Sequence, residues 1–342
     1  MPSQIAHQLF AEDVLQEVLG DMRYNTNSRI IALAAQGPDI FYHNQRTQPS
    51  AYFYGRRIHK KNYGKLITRM VSSAESRSFL ENGAIRAFIL GFATHALLDR
   101  ETHPYIIYHS GWVEPFNRES MKYQRAHPFL ERIIDVLLLE EIRGITVEEY
   151  GYSQKFGLEE LPDEIVEIAV DAIEKTYPRS KKSPISKESF RNAVKDALFF
   201  IRMTDPHRKE NKIEAFKREK RNESSTRVLA LFYPETIPDE IDFLNKRKAS
   251  WIDPCRPSEK KNDSFLDCYN RALSKAIPIA ETINRVIDGE ADKDEIERVV
   301  GNENLSDGRS EKGCTPSVSD PFPLDEMINQ LYRKMEATVG HL

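Results

Sequence analysis

Apolar residues recur every three or four positions along most of the chain, and strictly alternating stretches are scarce. This periodicity predicts an all-α protein, a multi-helix bundle. Residues 5–19 read as one helix, with Ile5, Leu9, Val14, Val18 and Leu19 on its apolar face. A short helix over 27–35 is closed by the breaker Gly37-Pro38. Residues 36–58 read as an aromatic-rich loop. Helices follow over 60–73 and 82–99, and the second is apolar nearly all round, which predicts burial. Residues 102–116 read as irregular, and 118–144 as a long helix in which Pro128 marks a kink or a new start. Further helices are predicted over 163–177, 187–203, 206–222 and 264–287, the third of them charged and solvent-facing. Residues 301–323 are rich in Gly, Ser and Pro and read as a flexible linker between a single helical domain over 1–300 and a terminal helix within 324–342.

Composition narrows the function classes. The 342 residues carry a formal net charge of -4 and pI near 6.2, with no basic footprint for long nucleic acid, although a single nucleotide stays open as a substrate. The most apolar window, 84–98, is interrupted by Arg86, Thr94 and His95, so no transmembrane segment is expected. The first residues lack a basic stretch followed by an apolar one and do not read as a secretory signal. Cys255, Cys268 and Cys314 are odd in number and widely spaced, which argues against a disulfide framework and fits a reducing, cytoplasmic compartment. No CxxC pair exists, so a metal site must use His and carboxylates.

Of nine histidines, seven fall within the first 127 residues: His7, His43, His59, His95, His103, His109 and His127. In His95-Ala-Leu-Leu-Asp99 an imidazole and a carboxylate stand one helical turn apart on one face, and His127-Pro-Phe-Leu-Glu131 repeats the arrangement. A divalent metal needs several convergent N and O ligands, and two such helices facing each other supply them. Burying Asp99 in an apolar helix is costly without a charge partner, and a metal is the simplest one. Gly37-Pro38-Asp39, just after a helix stop, can hold a carboxylate at the mouth of the bundle, with His59 brought in by the next helix. Taken singly, His127 with Glu131 reads equally as a surface pair and His7 as a water-facing residue. His43 and His109 read as non-ligands, and His207 and His341 as solvent-exposed.

The ordered set His7, Gly37-Pro38-Asp39, His59, His95-Ala-Leu-Leu-Asp99-Arg-Glu-Thr-His103-Pro and His127-Pro-Phe-Leu-Glu131 resembles the zinc-dependent phospholipase C family, whose helical fold is shared with zinc-dependent single-strand nucleases. The resemblance spans residues 1 to about 145. It implies two or three Zn2+ ions. Asp39, His59, His95 and Asp99 would hold one, Asp99 would bridge to a second shared with His7, and His103, His127 and Glu131 would hold the third. Asp39 would orient or deprotonate the attacking water. In secreted relatives the amino end of the processed chain also binds a metal, whereas here six residues precede His7, so the second site is expected to be incomplete and the protein intracellular. His103 also follows Asp99 slightly sooner than its counterpart does in the family. The implied function is a zinc-dependent phosphodiesterase acting on a phospholipid headgroup or another phosphate ester. The alternatives are a nuclease or nucleotidase on the same fold, for which Tyr52-Phe53-Tyr54 offers an aromatic clamp if it is not simply packed, and a metal-stabilised helical binding protein without turnover.

Overall fold

The longest helix, α5 (Gly83–Ser110), owes its burial to a sequence with almost no polar face, and the neighbouring helices are laid around it. In the computed structural model, residues 4–20, 27–179, 184–309 and 315–340 are described. The Asn82 side chain caps the start of α5 by accepting from the Ala84 N–H at 2.9 Å, and Gly111 ends it with φ +65°. Packed against α5 are α1 (Gln4–Leu19), α2 (Ser28–Ala34), α6 (Ala126–Arg143) and the 23-residue α11 (Phe265–Ile287). Gly91 lets α2 approach closely, since a Cβ there would stand 3.1 Å from the Ala34 methyl.

The remaining helices build an outer layer. They are α3 (Tyr52–Ile58), α4 (Tyr63–Glu75), the one-turn α7 (Tyr152–Lys155), α8 (Asp163–Thr176), α9 (Lys187–Met203), α10 (Lys209–Arg221), α12 (Lys293–Val300) and α13 (Leu324–Gly340). Among the described residues the only strands are Trp251–Ile252 and Lys260–Lys261, a two-residue antiparallel pair. The all-α expectation therefore holds. No described helix is long and apolar enough to cross a membrane.

Four local expectations change. Residues 36–58, read as a loop, hold the 3-10 turn Gly37–His43 and the helix α3. The helix read as stopping near Asp99 runs on to Ser110 with Pro104 inside it, because Thr102, Pro104, Tyr105, Ile106 and Tyr108 all bury side chains and that packing outweighs the one backbone bond proline forfeits. At Pro128 the alternative of a new start is the one found: residues 118–123 form a separate 3-10 turn, and Pro128 lies in the first turn of α6, where no N–H is needed. Residues 302–309 and 315–323 have the irregular backbone their composition predicts, but they are fastened down. Leu305 is fully buried, the Asp320 N–H donates to Tyr108 O at 3.0 Å, and the Phe322 N–H donates to His109 O at 2.9 Å.

The cysteine reading is also corrected. Cys255 is disulfide-bonded, while Cys268 is buried and free. Such a bond depends on the approach of two Cβ atoms in the fold, which spacing does not reveal, and a reducing compartment no longer follows from the cysteines. Cys314 and His341 lie outside the described residues.

His43 and His109 take structural places. His43 stacks on Phe200 with ring centroids 4.1 Å apart, and burial lowers its pKa to about 3. His109 stacks on Phe322 at 4.6 Å, and neither of its ring nitrogens meets hydrogen-bond geometry. Burial lowers its pKa from 6.5 to about 4 against a weak opposing contact from the Asp320 backbone. The fold thus favours neutral His109, and the stability this confers is present above pH 6.5 and lost as pH falls toward 4. His109→Phe keeps the stack and removes the titration. Its unfolding free energy should lose about 2 kcal/mol less than the parent's between pH 7 and pH 5. Denaturant melts of both proteins at the two pH values check this, and equal acid sensitivity would refute it.

Candidate metal centre

Four segments converge on the middle of α5. His95, Asp99 and His103 lie at i, i+4 and i+8 on that one helix. Against them stand His7 on α1, Asp39 on the 3-10 turn Gly37–His43, and His59 at the C-terminal end of α3. His127 and Glu131, one turn apart on α6, complete the set. All eight residues proposed from sequence are thereby brought together. Their ligand atoms fall into three groups, each within 4.8 Å: Asp39 with His59 and His95, His7 with His95 and Asp99, and His103 with His127 and Glu131.

Asp99 is the common point. Its Oδ1 lies 3.2 Å from His7 Nε2, while its Oδ2 lies 3.1 Å from His95 Nε2, 3.6 Å from His103 Nδ1 and 4.0 Å from His59 Nε2. Asp39 Oδ1 stands 3.1 Å from His59 Nε2 and its Oδ2 3.9 Å from His95 Nε2. Burial pushes both carboxyl groups up, but neighbouring imidazoles prevail. His103 and His95 hold Asp99 below the ordinary carboxylate range, and Asp39 is lowered as well, with His59 and His95 among the causes. His127 does the same for Glu131, at 3.2 Å.

These contacts are close, yet Asp39 Oδ1, Asp99 Oδ2, His95 Nε2, His7 Nδ1 and Glu131 Oε2 are buried and none makes a well-formed hydrogen bond. Orphaned buried polar atoms are rare in native folds, and five in one place fit a cation-binding site. A cavity of about 10 Å³ lies among His7, Asp99, His103 and Glu131, about the least that admits one water-sized occupant. The donor set of imidazole nitrogens and carboxylate oxygens suits zinc.

Backbone carbonyls fix the rings. His95 Nδ1 is 3.1 Å from Ala35 O, His59 Nδ1 is 2.7 Å from Gly55 O, and His103 Nδ1 is 2.8 Å from Leu305 O. Each ring donates through Nδ1, which leaves Nε2 as the ligating atom. Leu305 acts twice, because its own N–H donates to His59 O at 2.8 Å. Arg100 holds this strap by bonds to the carbonyls of Val300, Gly301 and Glu303. None of these carbonyl partners was legible in the sequence, since any residue type supplies a carbonyl.

His7 is 4% exposed and does not face water as its position near the chain start suggested. The Ile5 and Ala6 N–H groups donate to buried Asp135 at 3.2 and 2.8 Å, and Arg132 donates to the Gln4 side chain at 2.8 Å, so the first turn of α1 is pinned to α6. His7 thereby joins Asp99 and His95 in one group, and His95 is a member of the Asp39 group as well. His207 is half-exposed and belongs to none of the three groups, bonded instead to Asp205 and to Glu148 O. In the aromatic segment Tyr54 is buried and Phe53 packs on it, whereas Tyr52 is 46% exposed beside Tyr42, which stacks on His59.

Comparison with known proteins agrees with the geometry. The family model described as zinc dependent phospholipase C matches residues 1–203, from the chain start to the end of α9, and so includes every residue of the three groups. No curated protein and no solved structure matches significantly.

The glycine of Gly37-Pro38-Asp39 has its own reason. Gly37 has φ +51°, and a Cβ there would stand 2.4 Å from His95 Cγ. Gly144 has φ +67° with open space around it. Gly144→Ala should cost about 1–2 kcal/mol from backbone strain alone and leave metal binding intact. Gly37→Ala should cost more and also lose metal, because the His95 ring must move. Melting curves and elemental analysis of both variants test the pair, and full metal content in Gly37→Ala would contradict the close-approach argument.

Proposed function

The chain belongs to the zinc-dependent phospholipase C family, and from that premise we propose that it hydrolyses a phosphodiester of phospholipid type with two or three Zn2+ ions held by the three groups. The observation that carries this reading is Asp99, a buried carboxylate facing imidazoles on both its oxygens while Oδ2 lacks a hydrogen bond. A carboxylate so placed suits a bridge between two cations. His95 offers one free nitrogen to two groups and can serve only one ion, so Asp99 is the residue able to link them.

Bound zinc supplies an acidified water and positive charge against phosphoryl oxygens. The protein's own groups do the rest. Asp39, kept ionised by His59 and His95, accepts the proton of the attacking water or orients it. His59, His95 and His103 are locked by backbone carbonyls, so little rearrangement is needed as charge develops on the phosphate. His127 lines a pocket of about 390 Å³, which gives a phosphate ester a way in.

Purified protein should carry two or three zinc ions by elemental analysis, and one ion or none would favour a binding protein without turnover. A panel of bis-nitrophenyl phosphate, phosphatidylcholine and single-stranded DNA separates phospholipase from nuclease. Asp99→Asn keeps the shape, removes the charge, and should lower activity by at least about 100-fold, the loss of roughly 3 kcal/mol of transition-state stabilisation. Helix content by circular dichroism should barely change. Full turnover in that variant would remove the bridging role.

A further inference from the structure

Between α5 and α6 the chain makes a tight turn with a non-glycine residue in the left-handed region. Asn117 N–H donates to Glu114 O at 3.3 Å, and Pro115 and Phe116 occupy the two central positions. Phe116 has φ +67°. Proline followed by a left-handed residue is the pattern of a type II turn, in which glycine or asparagine normally takes the place held here by phenylalanine. The turn is not loose. Buried Ser120 accepts from Glu114 N–H at 2.8 Å and donates to Asn117 O at 2.7 Å, and Asn117 donates to the Glu114 carboxylate at 2.8 Å. The fold thus holds a strained phenylalanine in place while its ring is fully exposed, at 107%. Val113 at 42% and Met121 at 48% flank it, so among the described residues three of the five exposed large apolar side chains cluster within nine positions.

The patch adjoins the candidate site. Trp112, Val113, Tyr123 and Arg125 line the pocket of about 390 Å³, and His127 of the third group lines it as well. The exposed charges beside the tip balance: Arg118 and Lys122 against Glu114 and Glu119. Such a surface has an apolar point, an aromatic-walled entrance and, apart from the half-buried Arg125, charges that balance, which suits a zwitterionic interface.

We propose that the turn around Phe116, with Val113 and Met121, is the surface by which the protein docks onto a neutral phosphatidylcholine-type bilayer, so that a lipid headgroup enters the adjoining pocket toward His127. The proposal rests on the phospholipase reading of the site, and the two are separable by experiment. Only apolar side chains enter the interface, so docking is reversible and little affected by salt.

Full-length protein is sedimented with large unilamellar phosphatidylcholine vesicles at low and high salt, and hydrolysis is assayed on these vesicles and on monomeric short-chain phosphatidylcholine. The parent should pellet with vesicles at both salt concentrations. Phe116→Gly relieves the backbone strain and should raise the melting temperature, yet partition about tenfold less into vesicles, the loss of much of one buried phenyl ring. Phe116→Trp should partition at least as well as the parent. Phe199→Ser, which removes an exposed ring from α9, should leave partitioning unchanged. Hydrolysis of monomeric lipid should be the same in Phe116→Gly and the parent, while hydrolysis of vesicles falls with partitioning. Absence of the parent from the pellet overturns the proposal, as does equal partitioning of parent and Phe116→Gly. Failure of the parent to hydrolyse monomeric lipid tells instead against the phospholipase reading, and the sedimentation result still decides the surface.

Discussion

A carboxylate buried in the centre of a helix bundle has to be paid for, and the fold is organised around that requirement at Asp99. Apolar residues line α5 on both sides of it, and among the described residues no lysine or arginine forms a salt bridge with it; its partners are His7, His95, His59 and His103. Neutral imidazoles are weak partners for an anion, and protonating several of them side by side is unfavourable because their charges repel. A cation shared among them resolves both problems. The same cation explains why buried oxygen and nitrogen atoms here approach one another without forming proper hydrogen bonds.

Helix geometry then determines which residue faces which group. Each step of four residues advances the direction of a side chain by about 40° around the axis. His95, Asp99 and His103 therefore sweep an arc of about 80° along α5 rather than forming a straight column. His95 points to the α3 side, with Asp39 and His59, while His103 has turned toward α6, with His127 and Glu131. Asp99, between them, reaches both. The arc exists because the helix runs on past Asp99 to His103, and beyond Pro104 it continues because the residues after the proline are buried.

This explains how unevenly the site was legible. His95 with Asp99 and His127 with Glu131 are marked by spacing within single helices, and spacing is what a sequence displays. Asp39 is marked by the breaker beside it, although the reason for Gly37, the His95 ring beneath it, is visible only in three dimensions. His7 was misjudged when taken singly because its burial depends on Asp135, almost 130 residues away, which receives the first N–H groups of α1. Leu305 was not legible at all, because it contributes backbone atoms. The family match, which reaches residue 203, also stops short of it.

The strap at Leu305 changes what the second half of the chain is for. Residues beyond 203 provide none of the eight candidate ligands, and composition alone made 301–323 a spacer. Yet one residue there bonds His59 through its N–H and His103 through its carbonyl, linking two of the three groups from outside. Arg100, one residue beyond Asp99 on α5, grips the same strap through three carbonyls. The helix that carries the central carboxylate thus also holds the segment that orients two of its histidines. Ligand geometry and the packing of the later chain are for that reason a single constraint, and a rearrangement of the strap would be felt first in the imidazoles.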